Sequence, residues 1–325
     1  MHTEVLDAEH DSAIPRAVEL LRAGKMVALP TETVYGLAAD ALQPEAAAQI
    51  FAVKERPRFD PLIVHLPARD WMDRIARISK EDRTLVDQLT RRFWPGPITL
   101  VLPRQPIVPD VVTAGLDTVA VRMSSHPVFA LIVRAFNGPV AAPSANRFGR
   151  ISPTTAQHVV EEMHGRIPLI IDGGPTRIGV ESTVVSISKG KIRVLRKGPI
   201  TAEELVEYPS DKVINENDKI TSPGQLPTHY APSTPLQLIT NSSSFSVPSG
   251  QRVGLLAWSR FEGTGRFAAV RILSAKNDPV EAAANLFRFL RELDAMNLDL
   301  ILAEEVPEEG LGAAIMDRLR RAESR

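Results

Sequence analysis

The chain has 325 residues, 44% of them hydrophobic and 24% charged, with a formal net charge of −1 and no cysteine. That length allows about two domains at roughly 100–200 residues each, and the apolar share is that of a packed chain, not a disordered one. The balanced charge leaves no global basic field to hold nucleic acid, and the lack of cysteine excludes disulfides, thiolate metal sites and cysteine nucleophiles.

The opening residues, MHTEVLDAEHDSAIPRAVELL, have no positive segment followed by an apolar core, so no signal peptide is expected. No apolar run approaches the roughly 20 residues of a membrane span, and a cytoplasmic enzyme is expected. Asp11 or Ser12 can cap a first helix carrying Ala17, Val18, Leu20 and Leu21 at helical spacing, with Gly24 as its stop. The apolar run 26–29 predicts a strand, and TETVYGLAADAL after it reads as a polar loop. A helix over 45–54, a Pro-bounded loop RPRFDP and a strand over 62–66 follow. Next come a helix near 81–93, a loop WPGPITLVLP, a strand over 118–123, a helix over 127–136 and a strand in GPVAAPSAN. SPTTAQHVVEEM predicts a helix capped at Ser152, PLIIDGG a strand, and STVVSI with IRVLR a strand pair. Strands and helices mixed in this way imply an α/β or α+β sheet domain. The stretch 207–235 is rich in Pro, Ser, Asn and Asp and reads as a linker. Beyond it, LQLI, RVGLLAW, AAVRIL and LDLILAEE predict strands, with helices over 279–293 and 313–321, making a smaller α/β domain. Gly310-Leu-Gly312 lacks the third glycine of a dinucleotide turn and reads as a plain strand-to-helix turn.

No phosphate loop of the G-x-x-x-x-G-K-[ST] type occurs, so an ATP site must be assembled from separated side chains. VKERPRFDPLIVH sets Lys54, Arg56 and Arg58 within five positions, followed by Asp60 and His65. Taken alone this is most simply a solvated basic turn, but its arginine forks and lysine point charge also suit a polyphosphate. APSANRFGRISPT brings Ser144, Asn146, Arg147 and Ser152 to a predicted strand end, where ligands of open sheets are held.

The ordered set PTETVYGL (30–37), K-x-R-P (54–57), PLIVH (61–65), WPGPITLVL (94–102), TVAVRM (118–123), APSAN (142–146), ESTVV (181–185) and LRKGPI (195–200) resembles the YrdC-like family. With SPGQLPTHYAP (222–232) and a second α/β domain, the chain is similar to the two-domain threonylcarbamoyl-AMP synthases. The resemblance implies a YrdC-like twisted mixed sheet with flanking helices over 1–206, a linker over 207–235 folding on the site as a lid, and a Rossmann-like α/β domain over 236–325. It implies that L-threonine, bicarbonate and ATP give threonylcarbamoyl-adenylate and pyrophosphate, the product passing to a separate complex that modifies adenosine beside the anticodon of tRNA. By motif, Thr33, His65, Arg122, Ala142 and Ser182 would surround threonine. Lys54, Arg56, Asp60, Thr118, Ser144, Asn146, Ser152, Arg196 and Tyr230 would surround ATP, with Lys54 and Arg56 acting on the leaving pyrophosphate. His229 and Tyr230 would belong to the lid.

Asp60 stands where some relatives carry Asn, and its charge would disfavour phosphate unless a metal or Arg58 compensates. Ala142 stands where some relatives offer a hydroxyl. Mg²⁺ is expected with ATP, held by phosphate oxygens and water, since no carboxylate cage is visible. Two rivals are an RNA-binding YrdC-like module, disfavoured by the charge balance, and a carbamoyl-transfer domain of hydrogenase maturation, disfavoured by the lack of cysteine.

Overall fold

The computed structural model describes residues 2–211, 230–261 and 265–323. Two compact units divide the chain: Met1–Phe148 with Pro153–Thr176 and Glu181–Gln225, and Gly149–Ser152 with Arg177–Val180 and Leu226–Arg325.

The first unit is built on β1 (Glu4–Asp7), β2 (Val27–Leu29), β3 (Gly36–Asp40), β4 (Ile63–His65), β5 (Ile98–Pro103), β6 (Thr118–Arg122), β7 (Val140–Ala141), β8 (Leu169–Asp172), β9 (Thr183–Ser188) and β10 (Lys191–Arg196). They form one mixed sheet in the order β1-β8-β2-β3-β7-β4-β6-β5-β9-β10. Helices Ala13–Arg22, Pro44–Lys54, Lys80–Phe93, Pro127–Phe136 and Ala156–Met163 flank it. Their ends follow local chemistry. Gly24, at φ +68°, takes the left-handed backbone that ends the first helix. Ser79 caps the helix Lys80–Phe93 by accepting from the Asp82 amide. The helix Ala156–Met163 is capped by Thr155, which accepts from the His158 amide, and not by Ser152 as expected; Thr155 is the residue directly before its first turn.

Two segments read as loops are strands in part. GLAAD within TETVYGLAADAL forms β3, and ITLVLP forms β5. Both are buried nearly throughout, and a strand covered on both faces shows no polar alternation to betray it. The edge strand β1, absent from the sequence reading, is short and partly acidic and, among the described residues, pairs only with β8. Of the stretch read as linker, 208–211 adds to the first unit: Ile192 donates to the Pro209 carbonyl, and Tyr208 is buried in the main core.

Alternation across the sheet explains where a site can form. On β4, β5, β6 and β9, Val64, Leu100, Leu102, Val119, Val121, Val185 and Ile187 all enter the main core. Their neighbours Ile63, Val101, Ala120 and Val184 form a small cluster on the other face with Leu195. The residues two positions along from that small cluster, His65, Arg122, Thr99 and Ser182, therefore share its face.

In the second unit, β11 (Leu236–Ile239), β12 (Val253–Ala257), β13 (Ala269–Ile272) and β14 (Leu300–Glu304) form a parallel sheet in the order β11-β14-β12-β13. Helices Pro279–Asp294 and Gly312–Glu323 accompany it. Between β14 and the last helix, a Cβ at Gly312 would meet the Pro307 carbonyl oxygen at 1.9 Å. The glycine thus serves a tight strand-to-helix turn. Among the described residues no helix is long and apolar enough to cross a membrane.

Candidate active site

The loop Pro30–Val34 follows β2 and is stapled by Thr31. Its hydroxyl donates to the Val34 carbonyl at 2.6 Å and accepts from the Thr33 and Val34 amides. Thr31 spends its one proton on that carbonyl, so in the 2.8 Å contact between the two hydroxyls it is Thr33 that donates. Thr33 also accepts from Arg122 Nη2 at 2.9 Å. A ligand could therefore meet Thr33 only as an acceptor.

Arg122 ends β6 and lies directly opposite His65 at the end of β4. The same Nη2 donates to Glu32 Oε1 at 2.7 Å, and both partners are buried, at 4% and 3% exposure. The other Glu32 oxygen accepts a short hydrogen bond from Ser124, whose hydroxyl accepts from the His126 amide at 3.2 Å. Burial alone would raise the Glu32 carboxyl, but the Arg122 guanidinium and the Ser124 bond hold it below the usual carboxylate value. Arg122 Nε is buried without a hydrogen-bond partner among the described residues. His65 is pushed down to about 3 by burial and by Arg122 beside it, and its ring meets Phe129 at 4.8 Å. It is a neutral imidazole, so the ionic balance of this group is one guanidinium against one carboxylate. Ala142, on the stretch after β7, donates its amide to the Ile63 carbonyl at 2.9 Å, placing small backbone-lined surface beside β4.

The second group gathers around Asp60. Lys54 closes the helix Pro44–Lys54, and Glu55 after it is left-handed at φ 56°. The Lys54 side chain is 1% exposed. Its ammonium donates to the Ser144 carbonyl at 2.6 Å and to that of Asn146, while the Phe148 amide donates to the Lys54 carbonyl. Lysine and the S-x-N loop thus hold each other. Burial and then Arg56 push the Lys54 amine well below its ordinary value, opposed by Asp60 and Glu162. Arg56, 8% exposed, donates to the carbonyls of Asp60 and Pro61 and makes an ion pair of 2.8 Å with the Asp60 carboxylate. Neither residue is part of a solvated basic turn. The charge compensating Asp60 comes from Arg56, four residues earlier, while Arg58 is exposed. Burial raises Asp60, against the pull of Arg56, Lys54 and Arg196. Three basic side chains therefore act on Asp60, with Glu162 as a second carboxylate near Lys54.

Ser182 joins the second group through Arg196. Its hydroxyl lies 2.8 Å from Thr99 Oγ1 and accepts from Arg196 at 3.0 Å, and its carbonyl accepts from Arg196 Nε. That docking needs Gly198, where a Cβ would stand 2.4 Å from the Thr183 amide nitrogen. Thr118 opens β6 on the face that Arg122 ends, about 13 Å away at the usual rise of a strand.

Two expected ATP residues belong to the second unit. Ser152 is fully buried there. Tyr230 stacks on Phe287 at 5.6 Å, with the Arg318 guanidinium 5.1 Å from its ring. His229, expected in the lid, lies outside the described residues, as does 222–228. No group of three or more potential metal-binding side chains occurs among the described residues. Asp60 is already paired with Arg56 and Glu162 with Arg147, so these residues do not fit a protein-ligated Mg²⁺.

Glu32 and Ser124 were not singled out from the sequence. The pair Glu32–Arg122 spans 90 positions, and the only local hint is an acidic residue among the small polar ones of PTETVYGL.

A family model described as "Telomere recombination", covering Sua5, YciO and YrdC proteins, matches residues 19–198. Another, described as "Threonylcarbamoyl-AMP synthase, C-terminal domain", matches residues 200–324. Threonylcarbamoyl-AMP synthase of Pyrococcus abyssi is 41% identical over 94% of this chain and 92% of its own. The Bacillus subtilis protein of that name is 40% identical over 96% and 93%. The crystal structure of P. abyssi Sua5 complexed with L-threonine superposes with a TM-score of 0.88 at 39% identity, covering 99% of this chain and 98% of that one.

Proposed function

The chain belongs to the threonylcarbamoyl-AMP synthase family in its two-domain form, and from that premise we propose that it makes threonylcarbamoyl-adenylate and pyrophosphate from L-threonine, bicarbonate and ATP. The observation that carries the reading is the pair of buried charged groups: Arg122 held to Glu32 and Thr33, able to meet an amino acid, and Lys54, Arg56 and Arg196 gathered on Asp60, a basic cluster suited to a polyphosphate.

The threonine ammonium first sheds a proton. Its nitrogen then bonds the bicarbonate carbon with loss of water, and a carbamate oxygen attacks the α-phosphorus as pyrophosphate leaves. Arg122 offers its spare donors to the threonine carboxylate, and Thr33 accepts from the substrate. Lys54 fixes the Ser144–Asn146 loop, while Arg56 and Arg196 bring positive charge to the side where the pyrophosphate forms. Catalysis is then positioning and charge neutralisation, with no covalent intermediate on the protein. Mg²⁺ enters with ATP as the counter-ion of its phosphates. The product serves a separate complex that modifies tRNA.

The test is the dependence of pyrophosphate release on each substrate, with mass-spectrometric detection of the adenylate. Release requiring threonine and bicarbonate together supports the reading; release indifferent to either rejects it.

A further inference from the structure

The Glu32–Arg122 pair is costly to bury. Two desolvated charges are often no more stabilising than apolar residues of similar volume, so core stability alone gives little reason for them. Their connections are also one-sided. A single guanidinium nitrogen, Nη2, serves both Glu32 and Thr33, while Arg122 Nε is buried without a hydrogen-bond partner among the described residues. An arginine committed wholly to its carboxylate would use the two-nitrogen fork. This one is held by one corner, with donors left over.

Glu32 is held as firmly. Ser124 donates to its second oxygen and is itself fixed by the His126 amide, so the carboxylate spans from the Pro30–Val34 loop to the exit of β6. Beyond Arg122 and Ser124, the carboxylate still has a lone-pair direction for a further donor. Side by side, the group presents unspent donors on a cation and unspent acceptors on an anion, with the acceptor hydroxyl of Thr33 against them. His65 adds no charge. That pattern is the complement of a zwitterion.

We propose that Glu32 is a positioning and specificity residue: it holds Arg122 by one corner for the amino-acid carboxylate and makes the group selective for a ligand bearing an ammonium beside that carboxylate. The proposal rests on the reading of Arg122 as the threonine carboxylate's partner. An analogue with the carboxylate and hydroxyl but no ammonium forgoes the charged hydrogen bond to Glu32 and covers that carboxylate without offering it a donor, which penalises binding.

The experiment compares threonine with 3-hydroxybutyrate of matching hydroxyl configuration, which is threonine without its amine. Dissociation constants are measured by calorimetry on the full chain, wild type and Glu32→Gln, and KM values for threonine and ATP are taken from pyrophosphate release. In Glu32→Gln the threonine KM should rise at least about tenfold, the size expected for loss of a charged hydrogen-bond partner, with the ATP KM unchanged. The wild-type preference for threonine over 3-hydroxybutyrate should shrink by a similar factor, and Glu32→Asp should recover part of it. If Glu32→Gln fails to fold by circular dichroism, Ser124→Ala carries the comparison, because it removes one of the two groups holding Glu32, and it should shrink the preference in the same direction. An unchanged preference in the folded variant, or a loss falling equally on threonine and ATP, overturns the proposal. Wild type that neither binds threonine nor needs it for pyrophosphate release would overturn the parent reading as well, which separates the two failures.

Discussion

The two charged groups of the first unit are built on opposite principles. Around Arg122 every charge meets its opposite: one guanidinium faces one carboxylate, and the imidazole between strands is neutral. Around Asp60 the charges are uneven, with Lys54, Arg56 and Arg196 all acting on that one carboxylate, and the crowding of basic groups is tolerated because Lys54 and Arg56 also donate to main-chain carbonyls and Glu162 offsets Lys54. A balanced group leaves directional hydrogen bonds to discriminate among neutral ligands, whereas an unbalanced one attracts anions and fixes its own loops while it waits.

The comparison breaks most visibly at Arg122. Arg122→Ala should lower kcat/KM for threonine by about a thousandfold, as expected for a buried, oriented charge partner, and leave Glu32 stranded at a cost of about 3–5 kcal/mol. Threonine titrations and thermal melts measure both, and Arg122→Lys should not restore activity because it cannot hold Glu32 and substrate from one plane. Arg56 comes next. Arg56→Ala should destabilise by about 3 kcal/mol through the unpaired Asp60, while exposed Arg58→Ala should stay within about 0.5 kcal/mol in denaturant titration.

His65 gives a pH dependence with a definite sign. Its folded value of about 3 lies below the ordinary 6.5, so the unfolded chain takes up the proton first on acidification. The stability His65 contributes is complete above about pH 6.5 and is lost as pH falls from there towards 3. His65→Gln should remove that portion of the acid sensitivity, read as melting temperature against pH. The smallest effect is expected at Asp60. Asp60→Asn keeps the shape but removes the negative charge on which the three basic side chains converge, and should tighten ATP by roughly three- to tenfold, less at high salt. Unchanged ATP affinity would mean that the cationic group does not meet the phosphates.

What could be read from the sequence was whatever is local or ordered along it. Helix 127–136 and the strand pair of β9 and β10 stood out by periodicity. β3 did not, because its small residues are covered on both faces. Compensation of Asp60 was looked for in a metal or Arg58, whereas Arg56 supplies it from the i,i+4 spacing that a tight turn after a helix brings together. Thr33, His65, Arg122 and Ser182 were legible through the family motifs. Glu32 was not, since a carboxylate's meaning here depends on a guanidinium 90 positions away. Nor could the sequence tell that the Tyr230 ring is enclosed by Phe287 and Arg318 within the second unit.

Lys54 carries a consequence for chemical labelling. Burial makes the Lys54 ammonium readier to give up its proton than a surface lysine, which by itself would favour acylation, yet this side chain is sealed behind two carbonyls and shows 1% of its surface. In the folded chain, acylating reagents should therefore modify the surface lysines and pass over Lys54. Only when the Ser144–Asn146 loop lets go does the amine become reachable, so the extent of acylation at that one position reports how often the loop opens.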